Sequence, residues 1–362
     1  MTIEEIKSLI KPADEGVKEM ARTRQAALAK PPGSLGELEN ISVKFAGITG
    51  NVINKLEKCR VIVMCADNGI CDEGVSSAPI SVTNAQAGNM TRFKTGMSSL
   101  AHHFGDEVEV VDVGIATPYE NEKILDRKIA SGTKNFLVEP AMSRDEVLLA
   151  INAGIERVKA ASETHVSIIG VGEMGIGNTT TSSAVLSVLT GLSVEDVTGR
   201  GGGLTDDAFV HKKEVIEKGI MMHQPNADDV IDVLSKVGGL DIAAMCGVYL
   251  GAAIYKVPAV IDGFISVVAA LCASRISSDI TDYIFPSHKS FEPGYMRAME
   301  ELGLSPYLLL EMRLGEGSGC PIAFRIIESA LATMSDMAMF GEESEINDEY
   351  LNEIRKGDKF SV

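Results

Sequence analysis

Three glycine-rich loops carry the residues of this 362-residue chain whose types and spacing could do chemistry. The first runs Gly170-Val171-Gly172-Glu173-Met174-Gly175-Ile176-Gly177-Asn178-Thr179-Thr180-Thr181. It satisfies G-x-G-x-x-G, and Glu195 lies where a dinucleotide fold would want its ribose-binding acid. A dinucleotide site is nonetheless rejected. The loop does not become a helix at its third glycine, and no second apolar strand ends at Glu195. No G-K-[ST] follows, so the loop is not a Walker motif either. A glycine loop ending in hydroxyl residues at a helix start does suit one phosphate, through free N–H groups and the helix dipole. The plainer alternative is that Thr179 or Thr180 only caps the helix.

The second loop is Gly199-Arg200-Gly201-Gly202-Gly203-Leu204-Thr205-Asp206-Asp207. A triple glycine is entropically expensive to order, which points to close backbone approach to a ligand. Lys212 and Lys213 lie about two turns into the following helix. One of them could reach back to an anion; the bland reading is a hinge with solvated lysines. The third loop is Arg313-Leu314-Gly315-Glu316-Gly317-Ser318-Gly319-Cys320-Pro321. A carboxylate between glycines can be brought close to a ligand on bare backbone, where desolvation would raise its pKa toward a useful general-base value. Spacing alone favours a solvated turn glutamate.

The elements that must position these loops are legible as alternating patterns. Short apolar runs at 59–66, 107–114, 165–172 and 257–263 read as buried strands. Helical patterns cover 81–104, 143–161, 179–190, 206–221, 238–254 and 321–339. Strands alternating with helices predict an α/β fold, a mostly parallel Rossmann-like sheet flanked by helices. Residues 13–29 and 35–48 read as helices separated by KPPGS, and the ends of the chain, 1–48 and 318–356, look purely helical. A small helical subdomain from residues 1–50 plus 318–362 is therefore expected beside an α/β catalytic domain over 51–317. Ligands in open parallel sheets sit at the carboxyl ends of strands. Three of the runs end in polar loops there: ADNGICDEGVSS, GVGEMGIGNTTT and DGF.

Composition narrows the function classes. Lys and Arg number 33 against 51 Asp and Glu, a net charge of −18, which argues against nucleic acid or an anionic membrane as partner. Aromatics are 5% and Trp is absent, a poor base-stacking platform. Residues 1–12 lack a signal-peptide apolar region, and no uninterrupted apolar window is long enough to span a membrane. Cys59, Cys65, Cys71, Cys246, Cys272 and Cys320 form no C-x-x-C pair and read as reduced thiols of a cytoplasmic protein. The histidines, His102 and His103 among them, show no metal-ligand spacing, so no zinc site is expected.

Seven segments in order resemble the nicotinate-nucleotide–dimethylbenzimidazole phosphoribosyltransferase family. They are KPPGSLGELE at 30–39, EGVSSAP at 73–79, GEMGIGNTTTSSA at 172–184, GRGGGLTDD at 199–207, DGFISVVAAL at 262–271, SHKSFEPG at 287–294 and RLGEGSG at 313–319. The resemblance implies transfer of 5-phosphoribosyl from nicotinate mononucleotide to 5,6-dimethylbenzimidazole with inversion at C1′, and no cofactor or metal. It implies Glu316 as general base and Glu173 as a second carboxylate, assisting proton removal or stabilising positive charge on the ribose. Phosphate is then expected on Gly175, Gly177, Asn178 and the Gly201, Gly202, Gly203 loop, with Lys212, Ser290 and Arg313 as side-chain partners. The aromatic base is expected near Ser77, Pro79, Gln86 and Leu314.

Two departures from the family pattern fall near that base pocket. Ala66-Asp67-Asn68-Gly69 stands where the family commonly has G-D-H-G, and Gln86 lies one residue later than usual. They leave open which lower-ligand base is native. The resemblance implies a homodimer. The alternative is one subunit of a heteromeric relative, paired with a paralogue, that acts on phenolic bases and is non-catalytic alone.

Overall fold

The structure, a computed structural model, describes residues 1–341. The part of the expected C-terminal helical segment beyond 341 lies outside the described residues. Six strands form one sheet: β1 (Cys59–Ala66), β2 (Glu107–Gly114), β3 (Ile124–Asp126), β4 (Ile168–Met174), β5 (Ala259–Ile261) and β6 (Ile284–Pro286). Their order is β3-β2-β1-β4-β5-β6, and every pairing is parallel. The order reverses between β1 and β4, the point where parallel sheets open a crevice at their carboxyl ends.

The first helices are α1 (Ile3–Leu9), α2 (Glu15–Ala27), α3 (Glu37–Thr49), α4 (Ser81–Met90), α5 (Gly96–Phe104), α6 (Arg144–Glu163) and α7 (Asn178–Thr190). Next come α8 (Val194–Val197), α9 (Asp206–His223), α10 (Val230–Val237), α11 (Leu240–Tyr255), α12 (Phe264–Ile276), α13 (Gly294–Leu302) and α14 (Cys320–Asp336). Helices α11 and α12 pack on one face of the sheet; α5 and α14 pack on the other. Helices α2, α3 and α14 pack together, with Val17, Ala21, Ala46 and Met334 in a small apolar cluster of their own. The inner sides of α3 and α14 join the main core through Ile41, Phe45, Phe324 and Ile327.

The expected α/β architecture is present, with corrections. Among the described residues there are six strands rather than four, because β3 and β6 have three residues each, too few to display a period. The third expected strand runs on to Met174, so Glu173 belongs to β4 itself and not to the loop after it. The helix expected over 81–104 is two helices. Thr95 takes extended backbone and caps α5, its hydroxyl accepting from the Ser98 N–H while the Ser98 hydroxyl accepts from the Thr95 N–H.

Nearly every residue of α11 is buried, so its apolar pattern runs all round instead of along one stripe. Its tightest neighbour is α6, and glycines set that approach. A Cβ at Gly154 would meet the Ala244 carbonyl and the Val248 nitrogen; one at Gly247 would meet the Ile151 carbonyl. Backbone cannot yield as a side-chain tip can, so overpacking there has no cheap relief. Gly247→Ala is therefore expected to destabilise the fold by about 1–3 kcal/mol. Urea denaturation reads this as a lower midpoint at unchanged slope; an unchanged midpoint would refute the glycine contact.

Candidate active site

The three glycine loops meet at the switch point. Ser77, Gln86, Glu173, Gly175, Gly177, Asn178, Gly201, Gly202, Ser290, Arg313, Leu314 and Glu316 all line one cleft at the carboxyl ends of β1, β4 and β5. Pro79, Gly203 and Lys212, also expected at the site, do not line it. Pro79 is exposed, and nothing packs where a Cβ of Gly203 would project.

The loop bearing Glu316 lies backbone-down on the sheet. A Cβ at Gly172 would meet the Glu316 carbonyl oxygen at 2.6 Å, and one at Gly170 would meet Cys320 Cβ at 2.5 Å. These strand glycines of G-x-G-x-x-G make room for another loop; they do not cradle a pyrophosphate. Gly317 has φ +86° and approaches Val61 and Gly172 equally closely. Glu316 itself has φ +65°, a left-handed conformation uncommon for a residue with a side chain, of the kind that persists where surroundings over-determine it.

Two carboxylates provide that determination. Glu173 Oε1 accepts the Glu316 N–H (3.1 Å). Asp262, just past β5, accepts the Gly317 N–H on Oδ2 (3.0 Å) and the Gly319 N–H on Oδ1 (2.7 Å). So held, Glu316 is 4% exposed, not a solvated turn residue. Its Oε1 accepts from Gln86 Nε2 (3.3 Å), and its Oε2 accepts from the Met97 N–H (3.3 Å) in the first turn of α5. The positive end of a helix and an amide thus flank the carboxylate.

Glu173 is in a different state. Burial, with Asp241 nearby, pushes it up to about 8 despite hydrogen bonds from the Glu316 N–H and the Asn178 amide. Burial likewise raises Asp241 to about 6 and Asp262 to about 7. Asn178 turns its side chain inward, Nδ2 donating to Glu173 Oε2 and to Asp241 Oδ2 (3.2 Å). That side chain is therefore not turned to a phosphate, and its backbone N–H donates to the Gly175 carbonyl (3.1 Å).

The expected anion seat is at the start of α7. Gly177, with φ +93°, is the N-cap, so neither Thr179 nor Thr180 caps the helix, and no side chain does. Lys212 is fully buried behind this turn rather than beside the cleft. Its ammonium donates to Thr179 Oγ1 (2.8 Å) and to the Gly199 carbonyl (3.1 Å), and burial lowers it to about 8. Lys213 instead pairs with Glu195 at 2.6 Å. Gly201 lets the second loop close over Thr179, where a Cβ would stand 2.9 Å from Thr179 Oγ1. Ser77 Oγ donates to the Gly202 carbonyl (3.4 Å), joining that loop to the segment that follows β1. The Arg313 guanidinium lies over the Phe291 ring, 5.1 Å from its centre.

Sequence reasoning missed several residues that the fold brings here. Asp262 was visible only as part of a polar strand end. His288 and Glu292 also line the cleft, yet from S-H-K-S-F-E-P-G only Ser290 stood out. Burial holds His288 neutral at pH 7 by lowering it to about 4. Among the described residues no group of three or more His, Cys, Asp or Glu side chains could hold a metal ion, and no helix is long and apolar enough to cross a membrane.

Comparison with known proteins agrees with the resemblance. A family model described as phosphoribosyltransferase matches residues 10–344. A nicotinate-nucleotide–dimethylbenzimidazole phosphoribosyltransferase of Clostridium perfringens (strain 13 / Type A) is 51% identical over 342 residues, 94% of each chain. That of Clostridium tetani is 47% identical over 354 residues, 98% of each. The crystal structure of CobT from Thermus thermophilus superposes with a TM-score of 0.86 at 34% identity, covering 90% of this chain and 97% of that one. With its motifs, its sheet order and its whole length in agreement, the chain belongs to the nicotinate-nucleotide–dimethylbenzimidazole phosphoribosyltransferase family.

Proposed function

We propose that this chain transfers the 5-phosphoribosyl group of nicotinate mononucleotide to a ring nitrogen of 5,6-dimethylbenzimidazole or a related base, giving α-ribazole 5′-phosphate and nicotinate for the nucleotide loop of cobamides. The observation that carries this reading is the Glu316 carboxylate, buried in the cleft, held by Gln86 and the start of α5, and carried on a loop whose backbone is fastened to the sheet. One benzimidazole nitrogen attacks C1′ as the bond to the nicotinate nitrogen breaks. The departing electron pair neutralises the cationic pyridinium. The other benzimidazole nitrogen gives its proton to Glu316. Glu173 lies beside it and holds the Glu316 loop through the Glu316 N–H.

The 5′-phosphate sits at the start of α7, against the backbone of Gly175 to Thr179 and under Gly201 and Gly202, with Ser290 and Arg313 nearby. Lys212 supplies positive charge through and behind Thr179. The base lies against Gln86, Ser77 and Leu314. The enzyme works as a cytoplasmic homodimer. A catalytically silent subunit of a phenol-specific pair is the less favoured reading, since a silent subunit has no chemical need for a donor-lined carboxylate in its cleft.

Glu316→Gln keeps size and hydrogen bonding but cannot accept the proton. It should lower kcat by about 10²–10⁴-fold while nicotinate mononucleotide still binds, and Glu173→Gln should lose less. Steady-state turnover of 5,6-dimethylbenzimidazole, with products identified by mass, checks both. Near-wild-type turnover by Glu316→Gln would sink the assignment.

The phosphate seat is better probed at Lys212 than at Gly177, where any Cβ would collide with Cys71 Sγ at 2.5 Å. Lys212→Met keeps the aliphatic stem and removes the charge. Because the ammonium acts from behind Thr179 and not by direct contact, the loss should be smaller than the about 1.5–3 kcal/mol of a direct charge-assisted hydrogen bond, and nicotinate mononucleotide should bind roughly 3–10-fold more weakly. Unchanged affinity by calorimetry would move the phosphate elsewhere.

A further inference from the structure

Asp262 is 1% exposed, and its backbone N–H and carbonyl are both hydrogen-bonded. Its N–H donates to Ser266 Oγ (3.1 Å), and Ser266 Oγ in turn donates to the Val171 carbonyl of β4 (2.9 Å). Its carbonyl accepts from Ser287 Oγ (3.0 Å), just past β6. The residue is thereby clamped to both neighbouring strands. Its side chain reaches neither the cleft lining nor a cation. The nearest basic group, His288 Nδ1, is 3.8 Å from Oδ1 and stays neutral. What the carboxylate does hold is the Gly317 and Gly319 N–H groups, one on each oxygen. These amides flank Ser318 and follow directly on Glu316, whose own backbone is in the left-handed region. Without the two bonds the loop keeps its own turn, Ser318 N–H to the Gly315 carbonyl, its packing on Gly172 and the Glu173 contact, but Glu316 is freer to relax and to carry its carboxylate away from Gln86 and Met97.

We propose that Asp262 is a positioning residue for the transfer reaction: by gripping the Gly317 and Gly319 amides it sets the loop that presents the Glu316 carboxylate to the acceptor base. This rests on Glu316 being the general base. The role is distinct from that of a core contact, because it acts on one loop and through one side chain. Displacing a catalytic group by about 1 Å can lower a rate about 10²-fold without touching substrate affinity.

The test compares the full-length protein with Asp262→Asn, Glu316→Gln and the double variant. Asp262→Asn keeps the shape but turns an amide NH₂ toward one of the two N–H donors. The expected result is a kcat about 10²-fold lower, with the Kd for nicotinate mononucleotide unchanged within about twofold. The double variant should then be no slower than Glu316→Gln within about twofold, since Asp262 acts only through Glu316. Additive losses, or a Kd that rises with the loss of kcat, would mark a general structural role and overturn the proposal. So would wild-type kcat in Asp262→Asn beside a slow Glu316→Gln, which leaves the base assignment standing. A fast Glu316→Gln removes the base assignment and this inference with it. Should Asp262→Asn fail to fold, amide exchange in wild-type protein labelled with ¹⁵N-glycine decides: Gly317 and Gly319 must exchange as slowly as core amides, and rapid exchange overturns the proposal.

Discussion

One short stretch of backbone, Gly315 to Gly319, has to lie flat against β4 and β1 with no side chain between. Much of the site follows from that constraint. It requires glycine at 172 on the strand and at 317 on the loop, where backbone of one segment lies in the space a side chain of the other would fill, while Gly170 makes room for the Cys320 and Phe324 side chains of α14. It puts Glu316 into a conformation that a free peptide would avoid, and it needs acceptors for amides that face inward. Glu173 and Asp262, at the ends of adjacent strands, are those acceptors. A parallel sheet supplies them at the right spacing because its strands all end on the same edge.

The same edge explains how a strongly acidic chain can hold a phosphorylated substrate. Charge summed over the molecule governs long-range encounter, whereas a bound phosphate responds to the few groups within hydrogen-bonding reach. In the reading proposed above, the start of α7, which no side chain caps, meets the phosphate, and the buried Lys212 ammonium stands behind it. At the other end of the cleft burial raises the carboxyl groups beneath the Glu316 loop, Glu173 most of all, to about 8. The negative charge available to chemistry is thereby reduced close to where an anionic substrate must sit.

The fold class and four of the strands were legible because buried parallel strands and amphipathic helices write strong periods into the chain. Strands β3 and β6 were not, since three residues carry no period and their place depends on sheet pairing. Glu316 could be singled out from its flanking glycines. Its burial could not, because the cover comes from Gln86, α5 and Asp262, all distant in sequence. Lys212 was named for its distance from a glycine loop along one helix. Its buried position behind Thr179 reflects the packing of α9 against α7, a tertiary fact with no local signature. Asn178 shows the opposite failure: a residue type suited to phosphate whose side chain the fold commits to two carboxyl groups. The doublet of glycines in β4 misled most, since room for a dinucleotide and room for a neighbouring loop make the same demand for a missing Cβ.

That doublet has a consequence for how the chain matures. One face of β4, at the centre of the sheet, has almost no apolar side chains of its own between Gly170 and Gly172. It is completed by a segment roughly 145 residues further along, Glu316 to Cys320 and the α14 helix behind it. During synthesis the emerging polypeptide therefore carries a bare groove along β4 until residues 316–336 have left the ribosome. Contacts so far apart close late, because chain entropy must be overcome before they form. The last act of folding and the assembly of the catalytic centre are in this way one event, and a truncated chain retains the groove but never the enzyme.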